Sequence, residues 1–194
     1  FDTGDDCIAI KSGRDEDGLR VGLPSENIVI RNCKGHRGHG GIVIGSETSG
    51  GVKNIYAHDC EFNGTDRLIR IKTSQERGAY IENLWFENIK ADIIEKEGII
   101  INMKYRGDGF SGTRDLDRSP RVRNINFKNI SCKKAGTNII KLVGLPEQPV
   151  NNISFKDVTI NGVQGIEVNN AQDIHFNSIY VMPETGPVID LEDS

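Results

Sequence analysis

The feature that most constrains this chain is a strand-patterned segment repeated six times. Asn27-Ile28-Val29-Ile30-Arg31-Asn32-Cys33 resembles Asn54-Ile55-Tyr56-Ala57-His58-Asp59-Cys60 and Asn83-Leu84-Trp85-Phe86-Glu87-Asn88-Ile89. It recurs at Asn124-Ile125-Asn126-Phe127-Lys128-Asn129-Ile130 and Asn152-Ile153-Ser154-Phe155-Lys156-Asp157-Val158, with a weaker copy at Asp173-Ile174-His175-Phe176-Asn177-Ser178-Ile179. The copies start at 27, 54, 83, 124, 152 and 173, separated by 27, 29, 41, 28 and 21 residues. Each alternates apolar and polar residues with period 2, which sends successive side chains to opposite faces of a strand. A second β-rich piece follows within the repeats, as in Ile99-Ile100-Ile101, Ile139-Ile140-Lys141-Leu142-Val143 and Ile166-Glu167-Val168. Amphipathic helical stretches of ten or more residues are hard to find. Short strands without crossover helices cannot build a doubly wound sheet, and propeller blades need about 40 to 50 residues each. The pattern predicts one all-β domain over residues 1–194, a right-handed parallel β-helix in which each coil pairs with the next.

The Asn that opens each copy fits this expectation. A stacked turn residue of that type tolerates left-handed backbone geometry and can bond its equivalent in the next coil. The 41-residue interval holds Arg106-Gly107-Asp108-Gly109-Phe110-Ser111-Gly112-Thr113, a polar, glycine-rich stretch expected to project as a loop. A net charge of -4 and a pI near 5.6 oppose a nucleic-acid or membrane-surface partner, whose affinity comes from a basic face. No apolar run approaches the roughly 18 residues of a bilayer span. Cys7, Cys33, Cys60 and Cys132 show no metal-ligand spacing, so no metal or cofactor is expected. Free buried thiols are favoured over a disulfide, with Cys33 and Cys60 stacked as small hydrophobes. Sequons occur at Asn63, Asn129 and Asn152.

A second set of motifs carries the chemistry. Asp5-Asp6 precedes Cys7-Ile8-Ala9-Ile10, Gly38-His39-Gly40 precedes Gly41-Ile42-Val43-Ile44, and Arg70-Ile71-Lys72 follows Leu68-Ile69. Asp6 to His39 is 33 residues, and His39 to Lys72 is 33 again. A fixed period would set these groups on consecutive coils, the outer two roughly 10 Å apart. Asp5 and Asp6 would point to opposite faces of a strand unless a turn, which Gly4 permits, lies between them. Two close carboxylates repel, so one is expected to hold a proton, the pairing of acid and base that glycoside hydrolysis needs. His39 would tune that proton. Arg70 and Lys72 alternate with Ile71, so both cations share one face and suit a carboxylate or phosphate.

Gly4-Asp5-Asp6-Cys7, Gly38-His39-Gly40 and Arg70-Ile71-Lys72, in this order, resemble the polygalacturonase family, the family 28 glycoside hydrolases. Ile10-Lys11-Ser12-Gly13-Arg14 and Ile44-Gly45-Ser46-Glu47 resemble its bacterial members. The likeness implies a parallel β-helix that hydrolyses galacturonan bonds of pectin with inversion and without a metal. It implies Asp5 as general acid, Asp6 as an activator of the attacking water, and His39 as support for the acid. Arg70 and Lys72 would hold the galacturonate carboxylate, with Tyr105, after Ile101-Asn102-Met103-Lys104, packing on the sugar. The family's Asn-Thr-Asp motif, about one coil before the paired aspartates, has no counterpart here. The chain is therefore expected to be a β-helix truncated at its N-terminal end, weakly active or inactive alone, with an uncovered coil that invites end-to-end self-association. Pectin as substrate implies a secreted or periplasmic parent protein. Competing expectations are a non-catalytic binder of acidic polysaccharide, a structural β-helix, and a calcium-dependent pectate lyase.

Overall fold

A computed structural model describes residues 1–105 and 118–192. The loop expected at residues 106–113 lies outside them. The strands are β1 (Ile8–Ile10), β2 (Ser25–Arg31), β3 (Lys34–Gly35), β4 (Ile42–Gly45), β5 (Val52–Phe62), β6 (Ile69–Lys72), β7 (Tyr80–Ile94), β8 (Ile99–Asn102), β9 (Arg121–Val143), β10 (Val150–Asn169) and β11 (Ala171–Glu192). Every pairing between these strands is parallel. The chain thus winds as the expected β-helix.

One wall stacks Ile28, Ile55, Leu84, Ile125, Ile153 and Ile174 in register across β2, β5, β7, β9, β10 and β11. These pairings reproduce the intervals between the sequence repeats. A second wall stacks Ile8, Ile42, Ile69, Ile99, Ile140, Ile166 and Ile189. The late strands are long because they run through both walls, whereas the early coils use separate short strands.

Aliphatic columns face inward and are fully buried over most of their length. Phe86, Phe127, Phe155 and Phe176 form a ring stack with centroids 5.1, 4.9 and 5.3 Å apart, so one face of the core is a continuous aromatic column. Cys33 stands in line with Cys60 at the head of an aliphatic column. Cys60 is buried and Cys33 half-buried, and all four cysteines are free thiols.

Turns are set by two polar ladders. Asn27, Asn54, Asn83, Asn124, Asn152 and Asp173 all have φ between 53 and 58°. Each Asn amide donates to its equivalent one coil back, Asn54 to Asn27 at 3.1 Å, Asn83 to Asn54 at 3.4 Å, Asn124 to Asn83 at 3.1 Å and Asn152 to Asn124 at 2.9 Å. Five residues on, Asn32, Asp59, Asn88, Asn129, Asp157 and Ser178 repeat the left-handed turn. There Asn88 donates to Asp59 at 3.0 Å and Asn129 to Asn88 at 2.7 Å. The sequon asparagines Asn129 and Asn152 are therefore ladder members whose amides are already engaged.

One short helix, α1 (Asp15–Val21), interrupts the first coil, and Gly22 closes it at φ 61°. Gly18 is its buried residue, packed so closely on Gly13 that a Cβ there would lie 2.7 Å from the Gly13 backbone. Arg77 and Arg118, from later coils, pair with Asp15 and Glu16 of α1.

Candidate active site

The chain bends at Gly4 and Asp5 before entering β1, and this bend separates the two aspartates. The Asp5 side chain is 84% exposed, whereas that of Asp6 is 6% exposed. They are not two equivalent outward carboxylates. The Asp6 amide donates to Asp5 Oδ1 at 2.8 Å, and His39 Nδ1 lies 3.2 Å from the same oxygen. The His39 amide also donates to the Asp5 carbonyl at 3.0 Å, fixing the imidazole beside Asp5.

These contacts correct two expectations. The two 33-residue intervals are not the coil spacing. Ile8 pairs with Ile42 and Ile42 with Ile69, so successive coils here differ by 34 and 27 residues. His39 consequently faces Asp5 rather than Asp6. Lys72 Nζ, expected roughly 10 Å from Asp6, reaches Asp6 Oδ2 at 2.9 Å, because the side chain folds back over the wall. The second correction concerns the proton. The Asp6 amide above all, with help from His39, holds the Asp5 carboxyl below the ordinary aspartate value against the opposing effect of burial. In the free chain these bonds favour the ionised form of Asp5 over a proton-holding one.

Both glycines flanking His39 are sterically required. A Cβ on Gly38 (φ 147°) would lie 2.5 Å from the Asp5 carbonyl oxygen, and one on Gly40 would lie 2.4 Å from Val43 Cγ2. Only the bare backbone lets this turn sit against Asp5 and Asp6.

On β6, Ile71 packs inward while Arg70 and Lys72 lie on the outer face, as the alternation predicts. Tyr105 joins them, its ring centroid 5.2 Å from Arg70 Cζ and 5.5 Å from Lys72 Nζ. Burial, and after it the neighbouring Arg67 charge, lower the Arg70 pKa from its usual value. Among the described residues no carboxylate forms an ion pair with Arg70. The six predicted residues thus form one cluster, with His39 on Asp5, Lys72 on Asp6, and Tyr105 across both cations.

Sequence reasoning missed Arg67 and Glu97. Their side chains are 14% and 15% exposed, and Arg67 Nε lies 2.7 Å from Glu97 Oε2, close enough for an ion pair but without an aligned hydrogen bond. Arg67 precedes β6 and Glu97 precedes β8, so both stack in line with Gly40. The signal for them was positional, since Arg67 stands three residues before Arg70 as Gly40 stands before Val43. Asp6 Oδ1 is also buried and accepts no hydrogen bond among the described residues. No cluster of metal-ligating side chains occurs among the described residues.

A shallow cavity of about 470 Å³ lies elsewhere, along the second polar ladder between Asn32 and Asn129. Its charged lining is paired within itself, Glu61 with both Lys34 and Lys90, and none of the six predicted site residues lines it.

Comparison with known proteins identifies the family of this fold. A probable polygalacturonase of Vitis vinifera is 29% identical over 160 residues, 82% of this chain and 32% of its own length. An exo-poly-alpha-D-galacturonosidase of Dickeya chrysanthemi is 25% identical over 186 residues, 92% of this chain and 30% of its own length. The chain therefore spans about a third of the length of these relatives. The crystal structure of a hyperthermoactive exopolygalacturonase from Thermotoga maritima superposes on the whole chain with a TM-score of 0.73 at 32% identity, using 40% of its own length. A family 28 exopolygalacturonase of Yersinia enterocolitica shares the fold at a TM-score of 0.77 and 19% identity, with 34% of its length covered. The model of the glycosyl hydrolases family 28 matches residues 1–181, and the chain belongs to that family.

Proposed function

We propose that this chain carries the acid, base and anion-binding groups of a hydrolase that cleaves galacturonosyl bonds in pectin with inversion. The observation that carries the reading is the anion site beside the paired aspartates. Arg70 is desolvated, stacked on Tyr105 and free of a carboxylate partner among the described residues, one side chain away from the Lys72–Asp6 pair. A galacturonate carboxylate on Arg70 and Lys72, with the ring on Tyr105, brings the adjoining glycosidic oxygen toward Asp5.

Asp5 then gives its proton to the leaving oxygen, and the Asp6 carboxylate accepts a proton from the water attacking the anomeric carbon. One bond to carbon breaks as another forms on the opposite face. Asp5 must first be protonated. An anionic substrate placed against it disfavours its charge and moves its pKa up from the depressed value of the free chain. His39 is the nearest group able to return the proton afterwards. A substrate of this kind places the enzyme outside the cell.

One observation favours the second reading, a binder of acidic polysaccharide without turnover: Asp5 is held ionised by its local hydrogen bonds. Reducing-sugar release from polygalacturonate, by this chain and by Asp5→Asn, separates the two. Hydrolysis that depends on Asp5 supports the enzyme. Saturable binding with no release supports the binder, and absorbance from an unsaturated product points instead to lyase chemistry.

A further inference from the structure

The outer face of the second wall continues beyond Arg70, and its register is fixed by backbone pairing. Arg70 is followed in line by Ile100, Lys141, Glu167 and Asp190 on successive coils. The neighbouring outward column runs from Lys72 through Asn102 and Val143 to Asn169 and Glu192. Ile100 is buried yet outside the main core cluster, which gives an apolar step between two cationic positions.

Lys141 lies two strand spacings from Arg70, roughly 10 Å, which suits carboxylates two units apart on one chain, so three units are the fewest that reach both positions. Its Nζ is 2.8 Å from Glu167 Oε2, and both side chains are 28% exposed. Asn138, itself 8% exposed, points its amide at the same Glu167 oxygen at 3.3 Å. The Lys141–Glu167 pair is thus a supported, half-buried feature of this face. Beyond it the two columns carry Asp190 and Glu192, and Lys104, from the coil of β8, donates to Asn169 Oδ1 of the second column at 3.2 Å.

We infer that Lys141 is a second carboxylate-binding position for the same polyanionic chain, and that Glu167 limits how many units that chain extends along the face. The inference rests on the galacturonan reading above. A unit seated on Arg70 places the carboxylate of a unit further along near Lys141. There Glu167 competes with it for the ammonium, and the acidic residues beyond repel additional uronate units. The device sets length preference rather than chemistry. Lys141 binds substrate, and Glu167 acts through it.

The test is calorimetric binding of digalacturonate, too short to span both positions, and of hexagalacturonate. Wild type, Lys141→Met, Glu167→Gln and Arg70→Ala are compared at low ionic strength, with thermal melts confirming that each variant is folded. Lys141→Met is expected to weaken hexagalacturonate about tenfold and leave digalacturonate unchanged. Glu167→Gln is expected to tighten hexagalacturonate several-fold, with a gain that fades as salt screens the charges. Equal effects of Lys141→Met on both ligands, or none on either, overturn the inference while the loss of both in Arg70→Ala leaves the galacturonan reading standing. Binding of neither ligand by wild type overturns the reading beneath it.

Discussion

Asp5 and Asp6 adjoin in sequence and differ in almost every physical respect. Asp6 is buried against Lys72, and a buried ion pair is weak evidence for stability but costly to break from one side. Lys72→Met leaves a buried carboxylate uncompensated. It is expected to destabilise the fold by about 3–5 kcal/mol, measured by denaturant unfolding. Asp5 is exposed, and its carboxyl is depressed chiefly by the Asp6 amide and then by His39. An NMR titration should place Asp5 below the ordinary aspartate value, with His39→Ala moving it back up. Because the folded-state pKa is lowered, whatever stability Asp5 contributes is complete above its unfolded pKa and lost as pH falls through the folded one. The clustered residue types were legible from the motifs, with Tyr105 coming only from the family resemblance. Their distances were not, because side-chain reach and a bend at Gly4 override the counting of residues. Arg67 and Glu97 escaped because a lone Arg or Glu beside a strand looks like any solvated charge until the coil register aligns them.

At the scale of elements, the repeat intervals in the sequence translate directly into backbone register, since each copy begins at the same left-handed turn. The first ladder was readable from the recurrent Asn. The second shared those segments but alternated among Asn, Asp and Ser, which blurred it. α1 was unreadable because its seven residues bury only Gly18 and leave no apolar face to detect. Asn83 tests the ladder, with φ 58° and bonds to both Asn54 and Asn124. Asn83→Ala adds left-handed strain of about 1–2 kcal/mol to the loss of two hydrogen bonds. Asn83→Gly loses the bonds alone. Thermal melts should therefore rank wild type above Asn83→Gly and Asn83→Gly above Asn83→Ala; equal losses would mean that the turn conformation contributes nothing. Phe127 sits between two rings of the aromatic column, and Phe127→Ala should cost about 3–5 kcal/mol.

Taken whole, the molecule is a one-dimensional stack in which each coil touches chiefly its neighbours, so stability accumulates along the axis and is lowest at the ends. The inward-facing Ile174, Phe176, Ile179 and Val181 of β11 are only partly buried, while their partners in β10 are fully so. Hydrogen exchange should be fastest in β11 and slowest in β7 and β9; uniform protection would contradict the stack. The candidate site comes from the same stack, because four successive coils and the reach of their side chains bring Asp5, Asp6, His39, Arg70, Lys72 and Tyr105 to a single outer face. The central claim is that this face holds a uronate carboxylate beside the paired aspartates. Calorimetric titration of trigalacturonate into wild type and Arg70→Ala tests it most directly. The account predicts saturable binding by wild type that falls at least about tenfold, or about 1.4 kcal/mol, in Arg70→Ala. Binding that is absent from folded wild type, or unchanged in the variant, would contradict it.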